Sequence, residues 1–326
     1  METPASNNTL VKISNDGVRY TWAFYLIFII LSSFIGDSII LIASIKYKAF
    51  QLHQVIVVII QHIAACDIMV AIFLIPRVVA LIANDWILGK FACDMSAYAL
   101  YYLMVVSSFL ISTMTASKLF IVKFPMRAKA LRPSHAHIGC TIIWAFVTTL
   151  PGKIFFLGFM GRFDVSTLSF VVYSCDFDIT KSTLKWIRPL LWAVFALAPN
   201  VIVIPCTALI LKEVVNITRR SHVRTTLKWQ GITTTVLVAI VYCTSMLPNG
   251  IYRLLESSIS NHQESAFHQE FRRFTKSMLC LNTISNFYIY CLTVSSFREF
   301  LFRKQNVPQQ NSTISTSRTG NKSLIF

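Results

Sequence analysis

Seven long apolar stretches divide this chain of 326 residues, and they limit its fold more than any other feature. A helix needs about 20 apolar residues to cross the roughly 30 Å hydrocarbon core of a membrane. Because lipid offers backbone groups no hydrogen-bond partner, each stretch is predicted to be a helix. The seven predicted spans cover residues 22–46, 54–82, 91–120, 138–160, 187–211, 229–252 and 274–294. We therefore predict an all-α membrane protein.

The charges between the spans are sorted by side. The chain carries a net charge of +16, yet only 13% of its residues are charged. Lysine and arginine concentrate in 46–48, 123–132, 212–228 and 298–304, whereas the other connections mix both signs. By the positive-inside rule these basic segments are cytoplasmic, so we expect an extracellular N-terminus at 1–21 and a cytoplasmic C-terminus. This placement of the positive charge argues against a nucleic-acid-binding protein.

The exterior side carries two candidate modifications. Asn7-Asn8-Thr9 is a glycosylation sequon on the N-terminal segment, although such triplets also arise by chance. Six of the eight cysteines lie within the apolar spans, where a thiol packs as a small hydrophobic group. Cys93 and Cys175 lie on the oxidising exterior side, so we predict that they form a disulfide.

The connections indicate a single domain without internal repeats. The longest exterior loop, 161–186, contains β-branched and aromatic residues at 170–175 that favour a hairpin. After span seven, residues 295–304 are predicted to form a short amphipathic helix on the inner leaflet. The tail at 305–326 is rich in Ser, Thr, Asn and Gln, and it is predicted to be a disordered cytoplasmic segment.

Polar and charged residues inside the spans are costly and therefore informative. Asp37 lies in the middle of span one and Asp67 in the middle of span two. Ser107 lies in span three, and Asn282 and Asn286 lie in span seven. Isolated, tolerated polar residues are the alternative explanation, but two carboxylates at similar depth favour a functional polar cluster.

Several motifs resemble those of the rhodopsin-like (class A) G-protein-coupled receptors. The family's span-two L-A-x-x-D is present as I-A-A-C-D at 63–67, and its loop motif W-x-x-G-x-x-x-C is intact at 86–93. The span-seven N-P-x-x-Y is present as N-F-Y-I-Y at 286–290, with Phe in place of Pro, and an F-R pair follows at 297–298. Further matches in spans four, five and six are Trp144, Pro205 and Pro248.

These matches occur in the family's order and at its spacing, over roughly residues 20–304. The resemblance implies a seven-transmembrane helix bundle at 22–294 with a short amphipathic eighth helix. Residues 286–292 and Pro76 look most similar to neuropeptide receptors of the FMRFamide-receptor type. The resemblance thus implies a plasma-membrane receptor that senses an extracellular ligand, taken to be a neuropeptide, and signals to a G protein, an arrestin or both.

The residues that the family uses as switches differ in this chain. The D-R of its D-R-Y motif is replaced by Ser117 and Lys118, so the acid is lost and the planar arginine fork becomes an ammonium group. Glu213 stands where span five of the family has a tyrosine. We hypothesise that Lys118 and Glu213 form an ion pair; the alternative is that both reach the lipid headgroups. Met246 replaces the span-six tryptophan, whereas Tyr290 is retained.

The polar cluster resembles the family's sodium site, with Asp37 as an additional carboxylate. Two nearby carboxylates do not both ionise easily without a cation. The resemblance therefore implies either a sodium ion at Asp67, held together with Ser107, Asn282 and Asn286, or a proton shared by Asp37 and Asp67. No other cofactor is expected.

Two well-known ligand classes are each disfavoured by one residue. The span-three aspartate of amine receptors corresponds to Leu100, and the span-seven lysine of opsins corresponds to Cys280. The outer halves of the spans carry candidate ligand-binding residues: Arg77, Tyr101, Met104, Asn249, Arg253 and Lys276. Their three cations favour an anionic or carbonyl-rich ligand, unless they face headgroups or pair with Glu256. Asp176 and Asp178 instead suit a basic peptide, so these residues leave the ligand class open.

A transporter or proton-conducting protein that uses Asp37 and Asp67 is the alternative function. Against it, the sequence has no inverted repeat and no pair of Gly/Pro-broken helices in matching halves. An enzyme is disfavoured because H-E-x-x-H, G-x-S-x-G and phosphate-loop motifs are missing from the sequence. The seven histidines also do not cluster at metal-ligand spacing. The sequence therefore favours a receptor without catalytic chemistry.

Overall fold

Long helices account for most of the described structure. The computed structural model describes residues 16–46, 53–149, 166–169, 174–177, 197–221, 226–258 and 266–302. Within them the helices are α1 Asp16–Lys46, α2 Gln54–Ala83, α3 Gly89–Lys123, α4 Pro133–Thr149, α5 Ala198–Ser221, α6 Thr226–Ser258, α7 Ala266–Thr293 and α8 Ser295–Phe302. One further helical turn, Pro125–Ala128, lies between α3 and α4. Each predicted span coincides, at least in part, with one of α1 to α7.

The described helices have the length and composition that a membrane requires. Five of them, α1, α2, α3, α5 and α6, are long and apolar enough to cross it, and α7 with α8 forms a bent pair that meets the same test. The prediction of helical spans is confirmed for these residues. Parts of spans four and five, 150–160 and 187–196, lie outside the described residues, as do 1–15 and the tail from 303 onwards.

The helices pack as a ring. Neighbouring pairs in contact are α1 with α2, α2 with α3, α3 with α5, α5 with α6, α6 with α7, and α7 with α1, while α4 packs on α2 and α3. Ile29, Leu74 and Ile111 are among the fully buried side chains at the centre. Large apolar side chains such as Phe24 and Leu292 are exposed on the outside of the bundle. Lipid would cover this outer surface, so the exposure fits a membrane-spanning bundle.

The turn between α2 and α3 is built by the W-x-x-G part of the loop motif. Asn84 ends α2 in the left-handed region, with φ of 56°. The Trp86 indole Nε1 donates to the Gly89 carbonyl oxygen at 2.8 Å. Gly89 has φ of 75°, a conformation that glycine adopts without steric cost. The glycine of the motif is thus required by the turn.

A small antiparallel hairpin lies beside α3. Strand β1, Ser166–Ser169, pairs with β2, Ser174–Phe177, in the register Leu168 opposite Cys175. Both strands contact α3. The prediction of a hairpin in the 161–186 loop is confirmed, although residues 170–173 lie outside the described part of the chain.

The chain bends by 93° between α7 and α8. Arg298 supports the bend, because its Nη1 donates to the carbonyl oxygens of Leu292 at 2.5 Å and Cys291 at 3.3 Å. On one side of α8, Phe297 is fully buried, whereas Phe302 on the other is 80% exposed. The predicted amphipathic helix is therefore confirmed over the eight residues of α8, and its last two predicted residues, 303–304, lie outside the described range.

Candidate functional site

Two carboxylates lie at the centre of the bundle, as the sequence predicts. Asp37 on α1 and Asp67 on α2 are 0% and 1% exposed, and they are close enough to interact electrostatically. Asn286 Nδ2 on α7 donates to Asp67 Oδ2 at 3.0 Å. Ser33 Oγ donates to Asp37 Oδ2 at 2.7 Å and also lies 3.2 Å from the backbone oxygen of Asp67. Three helices thus meet at this cluster.

The cluster has unused hydrogen-bonding capacity. Within the described part of the chain, Asp37 Oδ1 and Ser107 Oγ are buried without a hydrogen-bond partner. Asn282 is also buried. Carboxylate and hydroxyl oxygens are ligands of hard cations such as sodium, and a sodium ion at Asp67 stays a prediction. A transition-metal site is not indicated, because the described residues contain no group of three His, Cys, Asp or Glu side chains that could hold one.

A pair of cations lies on the halves of α2 and α7 that are predicted to face outwards. Arg77 on α2 and Lys276 on α7 both lie close enough to the buried Cys280 thiol to interact with it electrostatically. Lys276 is only 9% exposed, and the Arg77 Nε atom is buried without a hydrogen-bond partner among the described residues. A buried cationic nitrogen without a hydrogen-bond partner, as Arg77 Nε is here, is costly. This pair, which we call the outer cation pair, is therefore the strongest candidate for ligand contact.

The other predicted ligand residues are only partly tested. Tyr101 and Met104 on α3 are half-buried, and Asn249 on α6 is buried. The side chains of Arg253 and Asp176 lie outside the described residues, as does all of Asp178. These six residues remain predictions.

The predicted disulfide has one described end. Cys93 on α3 is disulfide-bonded and buried. Six other cysteines, all on described helices, are free. Strand β2, which carries Cys175, contacts α3, but the Cys175 side chain lies outside the described residues. The pairing of Cys93 with Cys175 therefore stays a prediction, and so does glycosylation at Asn7.

Most of the switch residues lie on the half of the bundle that is predicted to be cytoplasmic. Lys118 on α3 is 9% exposed, and Ser117 beside it is half-buried. Glu213 on α5 is half-buried, and no ion pair joins it to Lys118 in this structure, which describes both side chains. The hypothesised pair is thus absent from this conformation. Met246 and Tyr290 are buried, the latter with its ring 6.5 Å from that of Phe297.

Sequence reasoning missed several contacts between helices. Ser33 was not predicted, although it lies four residues before Asp37 and so shares its helix face. Tyr25 Oη donates to the Ser277 carbonyl oxygen at 2.7 Å, which joins α1 to α7. Thr234 on α6 donates to Thr293 on α7. No sequence signal distinguishes these hydroxyls from those that bond only to their own helix.

Known proteins support this picture at the level of the family. The model of the 7 transmembrane receptor (rhodopsin family) matches residues 36–290. Cysteinyl leukotriene receptor 1 of Cavia porcellus is 27% identical over 150 residues, which are 44% of this chain and 42% of that protein. The receptor of the same name from Sus scrofa is 24% identical over 93% of this chain and 90% of its own.

A third relative is matched over a shorter segment. Uracil nucleotide/cysteinyl leukotriene receptor of Homo sapiens is 27% identical over 92 residues, which are 28% of this chain and 25% of that protein. The match therefore covers less than half the length of the first and third relatives, and most of the length of the second.

Proposed function

The chain belongs to the rhodopsin family of seven-transmembrane receptors, and on that premise we propose that it detects an anionic extracellular ligand. It is a multi-pass protein of the plasma membrane with its N-terminus outside. The ligand shifts the helix bundle between two states, and the cytoplasmic face signals to a G protein, an arrestin or both.

The outer cation pair is the observation that supports an anionic ligand. Arg77 and Lys276 approach Cys280 from two helices, and both are at least half withdrawn from solvent. A carboxylate or phosphate would accept a charge-assisted hydrogen bond from Arg77 Nε and lie close to the second positive charge on Lys276. One relative is named for uracil nucleotides, and a nucleotide carries phosphate of this kind.

A neuropeptide is the second candidate ligand. The hairpin whose strand β2 includes Asp176 contacts α3. Its sequence thus brings an acidic residue near the end of the bundle that is predicted to be exterior. A peptide with a free carboxylate would also suit the outer cation pair, whereas a purely basic peptide would not. Removal of the cations therefore separates an anionic ligand, including a peptide that binds through its carboxylate, from a purely basic peptide.

The test replaces each cation by a neutral side chain of similar length. Cells that express Lys276→Met, Arg77→Met or the matched control Lys90→Met, an exposed lysine at the start of α3, are screened with anionic lipids, nucleotides and peptides. Cyclic AMP, calcium and arrestin recruitment are read in parallel. Loss of a charge-assisted hydrogen bond predicts a drop in agonist potency of about 10-fold or more, with Lys90→Met unchanged.

The alternatives give different results in the same cells. Potency that survives both cation changes would contradict the anionic-ligand proposal, and a basic peptide agonist with that behaviour would favour the second candidate. Transport of a solute or of protons without any signalling response would favour the transporter alternative that uses Asp37 and Asp67.

A further inference from the structure

Two buried threonine hydroxyls join the inner ends of α6 and α7. Thr234 Oγ1 donates to Thr293 Oγ1 at 2.7 Å, and Thr293 Oγ1 donates in turn to the Ile289 carbonyl oxygen at 2.7 Å. The two threonines are 2% and 8% exposed. We call this hydroxyl chain the threonine clasp. This side-chain hydrogen bond joins two residues, one on each helix, that are 59 positions apart in the sequence.

The α7 end of the clasp is firmly held. Thr293 is the last residue of α7, directly before the bend into α8. The next amide, Val294 N, donates to the Tyr290 carbonyl oxygen at 3.0 Å. Arg298 donates to the Leu292 carbonyl oxygen, and the buried Phe297 packs beside this turn. Thr234 therefore attaches α6 to a fixed point on its neighbour.

Among the described side chains, no ion pair joins α6 to α3. Lys118 lies at the inner end of α3, and it makes no ion pair in the described part of the structure. Val236 of α6 does pack with Ile210 and Val214 of α5, but these contacts are apolar and have no direction. A directional restraint on α6 is thus found on its α7 side.

We propose that the threonine clasp holds the inner end of α6 against α7 and so favours the non-signalling state. The proposal rests on the receptor function proposed above. If α6 moves away, the hydrogen bond between Thr234 and Thr293 is lost, although each hydroxyl can still bond to its own helix. Hydrogen bonds between membrane helices are modest in strength. The clasp therefore biases the balance between two states rather than fixing one.

The variants remove one hydroxyl at a time and keep the side-chain shape. Thr234→Val and Thr293→Val each break the clasp, Thr234→Ser retains it, and the double valine variant tests whether the two hydroxyls act as a unit. Thr244→Val is the matched control, because Thr244 lies on an exposed face of α6 and bonds only to the Ile240 and Val241 carbonyl oxygens of its own helix.

Two measurements are made on the full chain without ligand. Hydrogen–deuterium exchange of residues 226–240 in the purified protein reports the freedom of the inner end of α6, and basal signalling in cells reports its consequence. We expect both to rise about threefold in each single valine variant, with no further rise in the double variant. Thr234→Ser and Thr244→Val should match the unmodified chain.

The outcomes separate this proposal from the proposed function. Unchanged exchange and basal signalling in both single variants, with ligand-dependent signalling intact, would overturn the clasp alone. Faster exchange without signalling in any variant under any ligand would overturn the regulatory role and the receptor function together.

Discussion

Gly36 allows α1 to approach α7 more closely than any other residue type would. A Cβ atom at this position would lie 2.6 Å from Cγ of Phe287, which is too close for an unshifted structure. Phe287 is the residue that replaces the family's proline, and its ring lies 6.2 Å from that of Phe297. The Phe287 side chain therefore packs directly against the backbone of α1 at Gly36, where only a glycine leaves room for it.

The substitution Gly36→Ala is expected to destabilise the protein by about 1–3 kcal/mol, because the added methyl overpacks this contact. Thermal unfolding in detergent measures the change. Gly139→Ala on α4 is the matched control, since a Cβ there meets nothing within 4 Å and alanine favours the helix. Equal melting temperatures for the two variants would show that the contact with Phe287 yields without cost.

A second prediction at the scale of one residue concerns Asp37. Asp37→Asn keeps the shape of the side chain and an oxygen that can accept from Ser33, but it removes one of two neighbouring carboxylates. The dependence of thermal stability on sodium concentration or on pH should become flatter, because the remaining carboxylate no longer competes with a second charge. Asp85→Asn, at an exposed aspartate, is the control. Identical sodium and pH titrations for Asp37→Asn and the unmodified chain would refute the coupling.

The residues of the polar cluster differ in how well the sequence predicts them. Asp37, Asp67 and Asn286 could be found because a charge or an amide inside an apolar span has few explanations. Ser33 could not be, because a helical serine usually bonds to its own backbone. Its role depends on the rotation of α1 against α2, which is a property of packing rather than of composition.

At the scale of elements, the helices extend beyond the predicted spans. The spans were predicted at 229–252 and 274–294, whereas α6 is Thr226–Ser258 and α7 is Ala266–Thr293. The apolar pattern ends where the hydrocarbon core ends, but the backbone hydrogen bonds of a helix continue into the polar headgroup region. Sequence patterns therefore locate each helix well and its ends less well.

Helices α3 and α5 lead to a prediction about their inner ends. These helices are in contact, yet Lys118 and Glu213 form no ion pair in this conformation. We expect the pair to form in the signalling state, when the inner ends rearrange. Lys118→Glu and Glu213→Lys should each reduce agonist-dependent signalling, and the double exchange should restore it because the opposite charges are again matched.

Surface expression of each variant is measured alongside signalling to exclude a folding defect. If the double exchange signals no better than the weaker single variant, Lys118 and Glu213 act independently. In that case both side chains reach the headgroups instead.

At the scale of the whole molecule, the central and outer sites are aligned. On α2, Asp67 and Arg77 are ten residues apart, and on α7 so are Lys276 and Asn286. Ten residues of helix span about 15 Å. The antiparallel arrangement pairs Asp67 with Asn286 at the centre and brings Arg77 and Lys276 around Cys280 above them. A ligand that draws the two cations together would thus act on two of the three helices that form the polar cluster.

For Arg77 and Lys276 to meet an extracellular ligand, the N-terminus must face outwards, which is a prediction for the whole chain. Asn7 should then carry a glycan, so Asn7→Gln should remove the mobility shift that a glycosidase produces in the unmodified chain. Asn311→Gln is the matched control, because its sequon, Asn311-Ser312-Thr313, lies in the segment predicted to be cytoplasmic. In intact cells an N-terminal epitope should bind antibody and a C-terminal epitope should not. A glycan on Asn311, or antibody binding at the C-terminus of intact cells, would reverse the orientation and place Arg77 and Lys276 on the cytoplasmic side.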